Sequence, residues 1–375
     1  MKIIKNAIIY APYQLGKKDL LIGAGKILSI EDSIDLQGIR AEIIDAKGKI
    51  LTPGLIDQHV HITGAGGQQG FASMTPAIES GELVSCGTTT VVGMLGTDGS
   101  TKSLQALYAK AKGLEQEGIT AYILTSYFAY PPLTFTGSVR DDMLFIDNII
   151  GCKIAISDER SSYPTALELS RLITDVHVAG MLTRKKGILH VHLGGLDSYM
   201  GILLELVEKN KVPVRRISPT HVGRTKSLFE EAIRFAKLGG MIDISTGGTK
   251  FNESYKQVIY AMDRGVPISQ MTFSSDGNAG VVVKDAEGNI TGYRKAPVNL
   301  NLQQVIKLIV DGGIDPSEAF QLITSNPAKN LSLPQKGNIA VGKDADCCLF
   351  DEQFNLCDVM AKGEMVMQNK TLLKK

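Results

Sequence analysis

At 375 residues with 43% of them hydrophobic, the chain has material for one large domain with a smaller one appended. Its 40 basic and 39 acidic side chains leave a formal net charge of +1, too little to draw in nucleic acid or an anionic membrane, so a small-molecule partner is expected. No apolar run approaches the ~20 residues that cross a bilayer, and Met1 leads straight into a strand-like pattern without a cleavage signal, so a soluble, cytoplasmic protein is expected.

From Met1 to about Thr52, short β-rich runs alternate with Gly, Lys and Asp: Ile3 to Tyr10, Leu20 to Gly23, Lys26 to Ile30 and Ala41 to Asp45. They predict strands joined by tight turns. The interior then alternates between two periods. Thr89 to Leu95 predicts a strand, and Leu104, Leu107, Tyr108, Ala111 and Leu114 follow at helical spacing. Ala121 to Thr125 and Cys152 to Ser157 are strand-like, and a helix carrying Leu167, Leu172 and Ile173 begins near Pro164. Ile188 to Leu193 predicts another strand, Thr225 to Leu238 a helix ended by Gly239-Gly240, and Met241 to Ser245 the next strand. From about Ala340 the pattern returns to β, with Asp346 to Phe350 and Val359 to Gln368 strand-like between polar breaks. Repeated βα units imply an α/β fold with a parallel sheet, and their number favours closure into a (β/α)8 TIM-type barrel over residues 53–335. The β segments at both ends need partners, so residues 1–52 and 336–375 are expected to form one small β-sandwich-like domain. No GxGxxG or P-loop opens a helix, which argues against nucleotide binding. The five cysteines, Cys86, Cys152, Cys347, Cys348 and Cys357, are odd in number and lack CxxC spacing, so they read as small apolar residues, not as a disulfide or zinc framework.

Only six histidines occur in the chain, and four of them, His59, His61, His192 and His221, fall where the barrel places the ends of strands. His59 and His61 follow Leu55-Ile56-Asp57-Gln58. Residues i and i+2 of a strand share a face, so both imidazoles can aim at one metal in the barrel mouth. His192 ends the run Ile188 to His192, and His221 lies in Ser218-Pro219-Thr220-His221 after another apolar segment. Asp276 follows a later strand, and active sites of such barrels form at the C-terminal strand ends. His190 shares the facing of His192 one layer deeper, so His192 is the preferred ligand, while His177 falls in a helix and reads as structural. Lys153 stands inside the apolar run Ile149 to Ile156, where an unpaired ammonium would cost several kcal/mol. Either it snorkels from an edge strand or burial lowers its pKa, and a neutral amine can then add carbon dioxide to form a carbamate able to bridge two metals. Asp276-Gly277-Asn278 is ordinary turn chemistry, but beside the histidines its carboxylate is the group a hydrolytic site needs to orient water and shuttle a proton.

These motifs, in this order and over nearly the whole chain, resemble the amidohydrolase superfamily and more closely the isoaspartyl dipeptidase (β-aspartyl peptidase) family. The generic parts are Pro53-Gly54-Leu55-Ile56-Asp57-Gln58-His59-Val60-His61, Asn326-Pro327-Ala328 and Gly342-Lys343-Asp344-Ala345-Asp346. The more specific parts are Val92 to Asp98, Thr136 to Val139, Lys153 to Arg160, Pro219 to Arg224 and Ser274 to Asn278. The resemblance implies two divalent metal ions, with zinc the expected element. One would be held by His59, His61 and Asp276 and the other by His192 and His221, with a carboxylated Lys153 bridging both. It further implies cleavage of the β-aspartyl isopeptide bond of isoaspartyl dipeptides by a hydroxide between the ions, with Asp276 as general base and acid and Tyr130 helping to polarise the carbonyl. Arg160 and Arg224 would grip substrate carboxylates, Thr97 and backbone amides near Gly66 would complete the pocket, and a homo-oligomer is expected. Two features depart from the family. Gln68 stands where a glutamate would receive the substrate's α-ammonium, and Ala279-Gly280 offers no hydroxyl where a serine is often found. Gln68 therefore keeps open an alternative substrate, a cyclic amide or N-blocked amino acid of the dihydroorotase or hydantoinase kind. A metal-free oligomeric scaffold is a further alternative, against which stands the retention of all six ligands.

Overall fold

The computed structural model describes every residue except 11, 37, 39, 248–250, 374 and 375, so those five positions of the expected terminal domain, 11, 37, 39, 374 and 375, lie outside the described residues. Eight parallel strands follow one another around a barrel: β1 (Leu55–Val60), β2 (Thr88–Gly93), β3 (Thr120–Thr125), β4 (Ile149–Ile156), β5 (Ile188–Leu193), β6 (Ile217–Thr220), β7 (Ile242–Ser245) and β8 (Met271–Ser274). β1 and β8 approach at the seam, where Val60 bridges Gly277 and the His61 amide donates to the Gly277 carbonyl at 2.9 Å. The buried carboxylate of Asp57 reinforces the seam by accepting from the Ser275 amide at 3.2 Å and from the Ser275 hydroxyl. This is the (β/α)8 architecture expected from the alternation of periods.

Every residue of β1, β2, β4 and β5 is buried, because a barrel strand has side chains inside on one face and helices on the other. The helix Lys226–Lys237 shows how the outer layer is specified. Leu228, Phe229, Ala232, Ile233, Phe235 and Ala236 are buried on its inner face, the Thr225 side chain caps the Leu228 amide, and Arg234 and Lys237 occupy the last turn, where the helix dipole favours cations.

Both termini contribute to a single nine-stranded sheet. The C-terminal strand Cys347–Phe350 runs antiparallel to Ile50–Pro53, which itself lies parallel to Lys2–Tyr10. Strand alternation divides the labour of this sheet. Cys347 and Leu349 join Ile4, Ile9, Leu20 and Leu51 in a separate small core, whereas Cys348 and Phe350 pack into the core of the barrel. The cysteines are all free, four of them buried. Gly54 lets the chain pass from this sheet into β1, since a Cβ there would lie 2.2 Å from Thr89 Oγ1.

Two β features differ from expectation. The second strand spans Gln14–Gly23, starting well before the apolar Leu20 because its first half is polar and half exposed. After β8 the chain forms a hairpin, β9 (Gly280–Lys284) and β10 (Ile290–Lys295), with Val281 opposite Arg294. Its turn is fastened by the Asp285 carboxylate accepting from the Asn289 amide at 2.7 Å.

Candidate active site

Five strands, β1, β4, β5, β6 and β8, bring the predicted ligand residues together. His59 and Lys153 are completely buried on β1 and β4. The Lys153 ammonium nitrogen donates to the Leu95 carbonyl at 3.0 Å and lies 3.3 Å from His59 Nε2. Asp276 Oδ1 approaches His61 Nε2 at 3.2 Å and His59 Nε2 at 3.4 Å. His221, just beyond β6, shares its Nδ1 with the Ser245 hydroxyl, while its buried Nε2 has no hydrogen-bond partner among the described residues. The donor atoms of His59, His221 and Asp276 all lie within 4.8 Å of one another. His221 and Asp276 both adopt left-handed backbone, with φ of 63° and 51°, so the chain turns sharply off each strand and returns the side chain over the mouth.

His192 and His190 divide as their register predicts. His192 faces His221 with ring centroids 4.5 Å apart. His190, paired in register with Lys153, sits deeper and meets His59 Nδ1 through its Nε2 at 2.9 Å, so it orients His59. His177 lies half-buried in the helix Ala166–Thr183.

Burial sets the charge state of the cluster. It pushes the imidazoles of His190 and His192 down to about 3 and those of His59 and His221 well below their ordinary value, so these rings are neutral and keep a lone pair for a ligand. Burial likewise lowers the Lys153 amine to about 7. Burial alone would raise Asp276, but His221, His61 and Lys153 outweigh it and hold the carboxyl well below the usual range.

Sequence reasoning missed three residues that complete this arrangement. The Asp158 carboxylate accepts from His192 Nε2 at 3.1 Å and takes Arg160 in a two-point grip at 2.8 and 2.6 Å. Phe128, beyond β3, packs at a tilt against His192 with ring centroids 4.3 Å apart, and its ring centre lies 5.4 Å from both the Lys153 nitrogen and the Arg160 guanidinium. Arg294 reaches the site from the hairpin. Asp158 was signalled only by its place two residues before Arg160, and Phe128 by its place at a strand end.

A cavity of about 490 Å³ opens above the cluster, and Gly66, Gln68, Thr97, Arg160 and Arg224 line it together with His61, His192 and Asp276. Arg224 is steadied by its Nε donating to the Leu193 carbonyl at 2.8 Å. Tyr130 is not among the residues lining the cavity. It packs against the main core, and its amide donates to the Ser162 hydroxyl. The glycine at 280 has a local reason: a Cβ there would lie 2.6 Å from the Cα of Gly66, itself at φ 111°. The two backbones touch, leaving no room for a serine.

The sequence profile of the amidohydrolase family matches residues 182–366. Among solved structures, the β-aspartyl dipeptidase of Fervidobacterium islandicum AW-1, crystallised with β-Asp-Leu dipeptide, is 40% identical with a TM-score of 0.92, covering 100% of this chain and 99% of that one. An adenine deaminase of Thermosipho africanus is 26% identical over 99% of this chain, which spans only 59% of that relative's length. An allantoinase of Bacillus licheniformis is 25% identical, with 92% of this chain and 85% of the relative covered.

Proposed function

Since the chain belongs to the amidohydrolase superfamily, in its isoaspartyl dipeptidase-like branch, we propose that it is a metal-dependent hydrolase cleaving the β-aspartyl amide bond of a small acidic substrate. The observation that carries this reading is the convergence of neutral imidazoles, an ionised carboxylate and an orphaned His221 Nε2 beneath one cavity. That donor set fits divalent metal. His59, His61 and Asp276 would hold one ion and His192 and His221 a second, with Lys153, carboxylated by carbon dioxide, joining the two. Bound zinc ions would supply Lewis acidity toward water and the amide carbonyl.

The chain's own residues account for the remaining work. Asp276, kept ionised, takes a proton from the attacking water and delivers it to the departing amine. Arg224 presents a guanidinium fixed by the Leu193 carbonyl, suited to two-point capture of a substrate carboxylate. Phe128 covers the base of the site between His192 and Arg160 and excludes water from it. Tyr130 would reach a substrate carbonyl only after a movement of its loop. Asp158 fixes both His192 and Arg160, and on this account Asp158→Asn lowers kcat/KM by about 10- to 100-fold, measured by steady-state kinetics alongside circular dichroism to show an intact fold. The division into a composite β unit, residues 1–52 with 336–375, and a barrel unit, 53–335, is proposed on the same footing.

The test combines elemental analysis with release of leucine from β-aspartyl-leucine, using α-aspartyl-leucine as control. About two equivalents of metal with turnover of the β compound alone is the expected result. Metal-replete protein that ignores β-aspartyl-leucine yet opens a cyclic amide or an N-carbamoyl amino acid would establish the second reading, which Gln68 favours because its amide offers no charge to a substrate ammonium.

A further inference from the structure

The charged groups around the cavity do not balance. Its described lining holds three arginines, Arg160, Arg224 and Arg294, but one carboxylate, Asp276. Asp276 already faces His59 and His61, and Arg160 is matched by Asp158. Arg224 bonds a backbone carbonyl and has no carboxylate partner among the described residues, and the Arg294 side chain makes no hydrogen bond or ion pair among them. Arg294 stands directly across from Val281 in the β9–β10 hairpin, so the two side chains share one face, and both line the cavity. Val281 also borders Gln68 and Gly66 in an adjoining cleft. Arg294 therefore overlooks the corner built from Gln68, whose amide carries no charge. An ammonium placed there would meet a cation and no free acid, whereas a carboxylate would meet a guanidinium and an amide donor.

Resting on the activity proposed above, we propose that this corner is an anion subsite and that Arg294 is a specificity residue of it. It selects β-aspartyl amides bearing a carboxylate beyond those of β-aspartyl-leucine. That carboxylate has two possible sources, an acidic side chain on the departing amino acid or an acidic acyl group on the aspartyl nitrogen.

The test measures kcat/KM of metal-replete enzyme on β-aspartyl-leucine, β-aspartyl-glutamate and N-succinyl-β-aspartyl-leucine, for the natural protein, Arg294→Ala and Arg294→Glu. One acidic substrate is expected to exceed β-aspartyl-leucine by about tenfold, mainly through KM, as for a charge-assisted hydrogen bond. Which of the two does so identifies the source. Arg294→Ala is expected to abolish that advantage, and Arg294→Glu to turn it into a disadvantage, the favoured acidic substrate falling below β-aspartyl-leucine. No preference for either acidic substrate, or a preference that survives Arg294→Ala, overturns the proposal. If none of the substrates is cut, the proposed activity fails, and calorimetric binding of β-aspartyl-glutamate and of N-succinyl-aspartate decides the subsite by itself. Binding of either weakened about tenfold by Arg294→Ala sustains it, and equal binding of both overturns it. Arg294 is exposed on the hairpin, so its replacement leaves the barrel core untouched.

Discussion

Asp276→Asn is expected to lower kcat by about 10³-fold, within the range that a positioned proton carrier contributes. Asparagine keeps an oxygen to face His61 and His59, which now lie 3.2 and 3.4 Å from Oδ1, but it can neither hold nor return a proton. The side chain is 27% exposed toward the cavity, and the left-handed backbone at φ 51° suits asparagine as well as aspartate. The fold should therefore survive, and thermal denaturation should show a midpoint close to that of the natural protein. Loss of kcat with little change in KM would identify a group that acts in the transition state. A variant retaining activity within about tenfold would remove Asp276 from proton transfer, since that is less than the smallest contribution usual for such a group.

Lys153→Met separates stability from function more sharply. Lys153 is among the largest fully buried side chains of the described residues, and among them its nitrogen hydrogen-bonds only the Leu95 carbonyl and a His59 ring that is itself neutral. In the metal-free protein the nearby Asp276 carboxylate offsets only part of the penalty of burying a charge there, since burial still outweighs it. Methionine fills a similar volume without one, so the variant stripped of metal by a chelator should be more stable by about 1 to 3 kcal/mol, the scale found when buried charges give way to apolar side chains. The same change should abolish turnover and reduce metal retained through gel filtration, because no carbamate can form. Denaturation in chelator together with elemental analysis reads both effects. A variant less stable than the natural protein, or one that still holds two ions, would show that Lys153 serves the fold and not the ligand set.

The parts of the site that were legible in the sequence are those governed by local rules. His59 and His61 declare themselves because the two-residue period of a strand puts them on one face, and Lys153 because a charge interrupts an apolar run. His190 and His192 share that period, and only depth along β5 separates the residue that orients His59 from the one that faces His221. Asp158 and Phe128 escaped notice because their meaning lies in contacts across strands, with His192 in both cases. The hairpin that delivers Arg294 was hidden by its composition: three valines followed by a polar turn carry too short an alternation to stand out. Tyr130 was assigned through family resemblance alone, and the fold sets it against the core outside the cavity. The glycine at 280, read in sequence only as a missing hydroxyl, is required by the touching backbone of Gly66.

The barrel seam also dictates when the site can exist during folding. His59 and His61 come from the first barrel strand and Asp276 from just beyond the last, and the contact between Asp57 and Ser275 that locks them spans 218 positions of chain. So distant a closure carries a large entropic cost and forms late, after the local βα units are in place. A nascent chain therefore exposes its histidines for most of its folding without the carboxylate that completes them, and metal captured at that stage would bind the wrong state and hold it back. On the metal dependence proposed above, refolding should proceed faster with a chelator present and metal added afterwards than with metal present from the start.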